Sequence, residues 1–233
     1  HHSKFKMNLA ILQPVFIPDL HDLAVMMAVE TVVLQDSEQW SRKGRTHRAQ
    51  IRTPEGAQYL NIPVRTDDRK KAICEVRIDH SENWIEPMLR SLKFNYSNSV
   101  YYDFYEPEIR ADLESGSGFE FLLPFNLYIR ERIFRYMEIE LKATYLYSSE
   151  METYYSDPDQ LARQLKAETY YQEHDARHYQ RQGKTKSELP FEHPQYRQHF
   201  DGFEPYCCLL DLLFQYGPES FRIIDRVLGR VGN

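Results

Sequence analysis

NLAILQPVFIPDLHDLAVMMAVETVVL, residues 8–34, is the stretch on which the fold turns. Asn8–Gln13 is a short apolar run that ends in Gln-Pro, the pattern of a buried strand. Pro14 and Pro18 keep the next loop extended, because a proline biases the residue before it away from helix. Asp19 is placed to cap a helix over Leu20–Val29, where Leu20, Leu23 and Met27 share one apolar face. Thr31–Leu34 is β-branched and apolar, a second buried strand. Strand, proline loop, helix and strand make a βαβ unit with a right-handed crossover. Ligands of such units collect at the carboxyl ends of the strands, here Gln13 and the Gln35-Asp36 pair.

Toward the C-terminus, Trp40–Arg52 is basic, and Arg48–Arg52 with Gln58–Val64 reads as a hairpin closed at Glu55-Gly56. Cys74–Ile78 alternates like a further strand. From Asn83 the period changes, and Trp84, Met88, Leu89, Leu92 and Tyr96 predict a helix. Further helices are expected over Pro107–Leu113, Leu123–Met137 and Pro158–Ala167, the last capped by Asp157, with a strand over Leu141–Tyr147. Residues 168–201 are long, polar and rich in Tyr, Gln and His: a mobile lid, a disordered insertion, or an arm tied down by its aromatics. From Glu204 onward the chain predicts two helices broken at Gly217-Pro218. The expected fold class is α/β. An N-terminal βαβ unit with a mixed sheet and hairpin spans about 7–80, and a more helical half about 81–233, in a single domain. HHSKFK, residues 1–6, reads as a tag remnant before a native start at Met7.

A net charge of −6 and a pI near 5.9 argue against nucleic acid as a bulk electrostatic partner. No apolar run approaches the roughly 20 residues that span a bilayer. Three cysteines, Cys74, Cys207 and Cys208, have neither a disulfide pattern nor zinc spacing, which points to a reduced cytoplasm. The aromatics are 17 Tyr and 13 Phe against 2 Trp, so they suit either a half-wet cleft or the border of a core. His174 and His178 have metal spacing if helical, but no third ligand accompanies them and a solvated surface is the plainer reading.

Two blocks carry a family resemblance. One is LAILQPVFIPDL, with its Gln-Pro, aromatic and second Pro; the other is FEPYCCLLDLLFQYGPES, residues 203–220. Together they resemble the two ends of the WbqC-like family, bacterial proteins associated with O-antigen and related surface-polysaccharide biosynthesis. Asp36, Gln39, Trp40 and Arg48 resemble its second block, an acid after a strand, then an aromatic, then a base before an apolar strand. Gln13, Pro14, His21, Gln39 and Arg48 are therefore expected to bind substrate, and Asp36 and Asp211 are the candidate catalytic residues, one or the other as general base. Each also has a structural alternative. Gln13 can cap backbone groups, Asp36 and Arg48 can form an ion pair, and Cys207 or Cys208 can pack as a small hydrophobe instead of acting as a nucleophile. Asp211 lies beside the leucine stripe of its helix, where it faces a pocket or joins a buried network.

Two functions follow as expectations. In one, the chain is a transferase that acts on an activated sugar or amino sugar, acyl or aminoacyl transfer in kind, with a nucleotide-sugar as partner. In the other it is a non-catalytic accessory protein that uses the polar arm to hold an intermediate or an enzyme. A nucleotidyltransferase is a third option, raised by His21-Asp22 at the first loop–helix junction. No motif specifies a cofactor or a metal.

Overall fold

The computed structural model describes residues 8–231, so the tag assigned to residues 1–6 lies outside the described residues. β1 (Leu9–Leu12), α1 (Leu20–Ala28) and β2 (Thr31–Leu34) form the expected βαβ unit. Next come the hairpin strands β3 (Arg48–Thr53) and β4 (Gly56–Asn61) and helices α2 (Ile85–Tyr96), α3 (Tyr102–Glu114) and α4 (Leu122–Tyr136). β5 (Thr144–Tyr147), α5 (Pro158–Gln164), α6 (Leu209–Tyr216) and α7 (Phe221–Val231) complete a mixed α/β fold.

β1, β2 and β5 form a parallel sheet in that order, with Leu12 opposite Leu34 and Leu34 opposite Tyr147. The period of two divides its side chains between two cores. Ala10, Leu12, Val32 and Leu34 face the larger cluster, while Leu9, Ile11 and Val33 join Leu161 and Tyr170 on the other side. β3 and β4 pair antiparallel through the turn at Pro54-Glu55. α1 starts where the sequence places it. Asp19 Oδ1 accepts the Asp22 N–H at 2.8 Å, and Asp22 Oδ2 accepts the Asp19 N–H at 2.9 Å, a reciprocal capping box.

Three expectations are corrected. Cys74–Ile78 is not a strand; Ile73–Glu75 is a 3-10 turn. Its backbone is shared among unrelated partners, with Cys74 N–H donating to Asp36 O and Ile78 N–H to Glu120 O. α3 begins five residues before Pro107, which stands inside the helix, because Tyr102 and Tyr105 are buried there and Tyr102 packs on Phe214. α5 ends at Gln164 rather than Ala167. Residues 168–201 are irregular but tied down. Tyr170 is fully buried, and Tyr171 exchanges hydrogen bonds with Leu9 and Ile11 of β1.

The Gly-Pro break between α6 and α7 has a steric basis. Gly217 sits at φ +49°, and a Cβ there would lie 2.5 Å from the Tyr101 ring. Gly217→Ala is expected to destabilise the protein by about 3 kcal/mol, from backbone strain plus overpacking, measured by urea unfolding.

Candidate functional site

β1 is flanked by β2 on one side and by the Tyr171 segment, parallel to it, on the other. β1 therefore marks a switch point of the sheet, where crevices open beyond strand ends. β1, β2 and the Tyr171 segment are each followed by a glutamine, Gln13, Gln35 and Gln172, whereas β5 is followed by Ser148. A cleft of about 280 Å³ lies there, lined by Gln13, Gln35, Glu38, Gln39, Ser156, Tyr179, Gln180 and Arg181.

Behind the cleft is a buried ionic cluster built on Arg45. Its guanidinium grips Asp22 with two bonds, Nη1 to Oδ2 at 2.6 Å and Nη2 to Oδ1 at 2.8 Å. It reaches Asp175 through Nε at 2.9 Å and lies 3.6 Å from Asp19. His174 Nε2 meets Asp19 Oδ2 at 2.9 Å, and its ring stacks on Tyr206 at 3.8 Å. Tyr179 donates to Asp175 Oδ1 at 3.1 Å, so the cluster touches the cleft wall. Burial and the neighbouring Asp19 push the Asp22 carboxyl up, against the pull of Arg45. Against the same burial, Arg45 and His174 hold Asp19 below the usual carboxylate range.

Glu173 joins the cluster to the cleft. Its Oε1 accepts the backbone N–H of Gln13 in a short bond, and its Oε2 accepts from Gln180 Nε2 at 2.8 Å. Burial raises its pKa to about 8, and Asp175 adds to the rise. Near neutral pH it is therefore largely protonated, and it fixes the two cleft glutamines as a neutral group. Such a perturbed acid beside a crevice marks a functional-site candidate.

The sequence-predicted residues fall in different places. Gln13 and Gln39 line the cleft. The carbonyl of Pro14 accepts from Thr46 Oγ1 at 2.7 Å, next to it. His21 is buried edge-on to His174 and Phe191, burial lowers its pKa to about 4, and its Nδ1 has no hydrogen-bond partner among the described residues. Asp36 accepts from Ser148 Oγ at 3.0 Å and from the N–H of Ser149 at 2.8 Å, anchoring the turn after β5. Arg48 donates to the carbonyls of Gly44 and Lys43 and lies over Tyr59, with no bond to Asp36. Asp211 is completely buried and accepts from Tyr96 Oη at 2.8 Å, Tyr196 Oη at 2.7 Å and Gln198 Nε2 at 3.1 Å. It belongs to a buried network, and neither Asp36 nor Asp211 lines the cleft. Cys207 and Cys208 are buried as well, and burial pushes the Cys208 thiol up to about 12. His174 does not pair with His178; the segment is a 3-10 turn that leaves His178 exposed.

Arg45, Glu173, Asp175, Tyr179 and Gln180 were not singled out in the sequence. A signal for Glu173 does exist, since Tyr170-Tyr171-Gln172 repeats the strand-then-Gln pattern of Leu12-Gln13 and Leu34-Gln35.

Two outcomes are expected. Arg45→Gln leaves buried carboxylates without their cation and should cost about 3–5 kcal/mol of stability, read from chemical denaturation. The raised pKa of Glu173 means the folded state holds a proton that the unfolded state releases. Its contribution is full below the unfolded value near 4.5 and is lost as pH rises toward 8. Glu173→Gln should therefore gain stability relative to wild type between pH 5 and 8, by a few kcal/mol at roughly 1.4 kcal/mol per pH unit. A constant difference across that window would refute the assignment.

The sequence profile of the WbqC-like protein family matches residues 13–223. Uncharacterized protein Rv1507c of Mycobacterium tuberculosis is similar to this chain, with 25% identity over 227 residues that cover 91% of this chain and 95% of that protein. No solved structure matches the chain.

Proposed function

Since the chain belongs to the WbqC-like protein family, we propose that its glutamine-lined cleft binds the sugar of an activated sugar or amino-sugar intermediate in surface-polysaccharide biosynthesis. The lining is the observation that carries this reading. Gln13, Gln35, Gln39 and Gln180 offer amides, and Ser156 and Tyr179 offer hydroxyls. An amide presents a donor and an acceptor on one side chain, which matches a sugar hydroxyl that does both. Arg181 adds a single guanidinium to the wall, suited to the phosphate of a nucleotide-sugar.

Acyl or aminoacyl transfer to an amino sugar is the reaction this lining suits. The sugar amine attacks the carbonyl carbon of an activated acyl donor, the bond to the donor's leaving group breaks, and that group departs with the electron pair. Glu38, which lines the cleft, takes the amine proton as general base. Tyr154 and Ser156 donate to Glu38 Oε1 and fix its direction. Tyr179, whose O–H is given to Asp175, offers its oxygen as an acceptor to a substrate hydroxyl. Asp36 has a supporting part, holding Ser148 and Ser149 beside Ser37. Glu173 positions Gln13 and Gln180.

Calorimetric titration with a panel of nucleotide-diphosphate sugars tests the reading. At least one should bind, Gln39→Ala and Tyr179→Phe should each weaken it about tenfold, or about 1.4 kcal/mol, and Glu38→Gln should keep binding while losing turnover. Absence of binding across the panel would favour the non-catalytic accessory role instead.

A further inference from the structure

We infer that the groove between α4 and β5 is a second ligand site, built for a single-chain apolar anion whose headgroup is received by Arg130. The groove has a volume of about 450 Å³ and shares no lining residue with the glutamine-lined cleft, so it stands whether or not that cleft binds a sugar.

Its walls follow from two periodicities. On α4, Leu127, Arg130, Glu131 and Phe134 are spaced i, i+3, i+4, i+7 and share one face. On β5, Tyr145 and Tyr147 point toward that face while Leu146 turns to the smaller core cluster. Ile139 and Leu141 of the connecting loop complete the apolar lining, and both are only partly buried.

Arg130 is the observation that points to a ligand. Its guanidinium lies 4.8 Å over the Tyr145 ring, and the side chain is half-buried. It has no hydrogen-bond or ion-pair acceptor among the described residues. The other half-buried or buried arginines differ: Arg45, Arg77, Arg110 and Arg132 hold carboxylates, and Arg48 and Arg52 hold carbonyl oxygens. A guanidinium that shed part of its hydration against an aromatic wall without gaining an acceptor is a receptor awaiting an anion. Arg135 and Glu131 at the rim face each other at 3.4 Å and largely cancel, so Arg130 sets the sign of the groove. On a chain of net charge −6 this is a local cationic exception.

The headgroup can be a carboxylate or a phosphate ester; both bind a guanidinium through paired oxygens. A separate small cavity of about 20 Å³ shares Leu127 and Arg130 with the groove and is also lined by Gln13 and Glu173. Asn126 lines the same cavity, and its Oδ1 is buried without a hydrogen-bond partner among the described residues.

Calorimetry with octanoate, octyl phosphate, 1-octanol and inorganic phosphate tests the inference on the full chain. At least one octyl anion should bind at least tenfold more tightly than octanol or phosphate, and the tighter of the two anions names the headgroup. Arg130→Gln should weaken that anion tenfold or more, and Arg130→Lys should recover part of the loss. Leu141→Glu, which puts a negative charge on the partly exposed wall, should weaken it similarly, and it carries the test if Arg130→Gln proves unstable. Equal binding to wild type and Arg130→Gln, octanol binding as well as the anions, or no binding of either anion would overturn it.

Discussion

A single buried guanidinium organises this protein. Arg45 can be inside only because Asp22 and Asp175 supply it with oxygens, and the buried Asp22 and half-buried Asp175 can leave water only because Arg45 is there. The three residues belong to the first turn of α1, the segment before β3 and the irregular chain after Tyr171. Asp22 also closes the capping box of α1, so the charge that fixes Arg45 fixes the start of the helix as well. The strand-end crevice exists because these three pieces of chain are held at one place.

The cluster is overloaded with acids. Asp19, Asp22, Glu173 and Asp175 stand against Arg45 and His174, so full ionisation would leave two negative charges uncompensated in a poorly solvated space. Protonation of Glu173 relieves part of that imbalance. The second polar knot, around Asp211, solves the same problem differently. Two tyrosines and a glutamine donate to one carboxylate, and among the described residues no cation bonds to it directly. Tyr96 comes from α2 and Tyr196 from the chain before α6, so this knot fastens the helical half much as Arg45 fastens the sheet end.

Local chemistry made the βαβ unit readable. Pro14 and Pro18 mark the loop, Asp19 marks the cap, and the apolar runs on either side are too short for anything but strands. The hairpin and the Gly217 break were legible for similar reasons. What escaped was set by distant contacts. Residues 173–180 carry no periodicity, and their order comes from docking on β1 and from Arg45, neither visible in the segment itself. Asp211 could be seen as an anomaly in an apolar helix, but its partners lie 115 and 15 residues away. Gln13 and Gln39 were recognisable as polar residues near a strand end; that Asp36 turns toward Ser148 instead depended on where β5 pairs.

The position of β1 between β2 and the Tyr171 segment has a kinetic side. Gln13 and Glu173 are separated by 160 residues, and Arg45 and Asp175 by 130, so the crevice closes only through long loops. Such contacts form late and slowly, because the entropy of closing the loop is lost before the contact returns anything. During synthesis, β1 and β2 can pair early while the other edge of β1 stays open, with apolar residues on both faces. Until the Tyr171 segment arrives, that edge is a template for pairing with another nascent chain. The feature that completes the site is therefore also what ends the chain's most aggregation-prone interval.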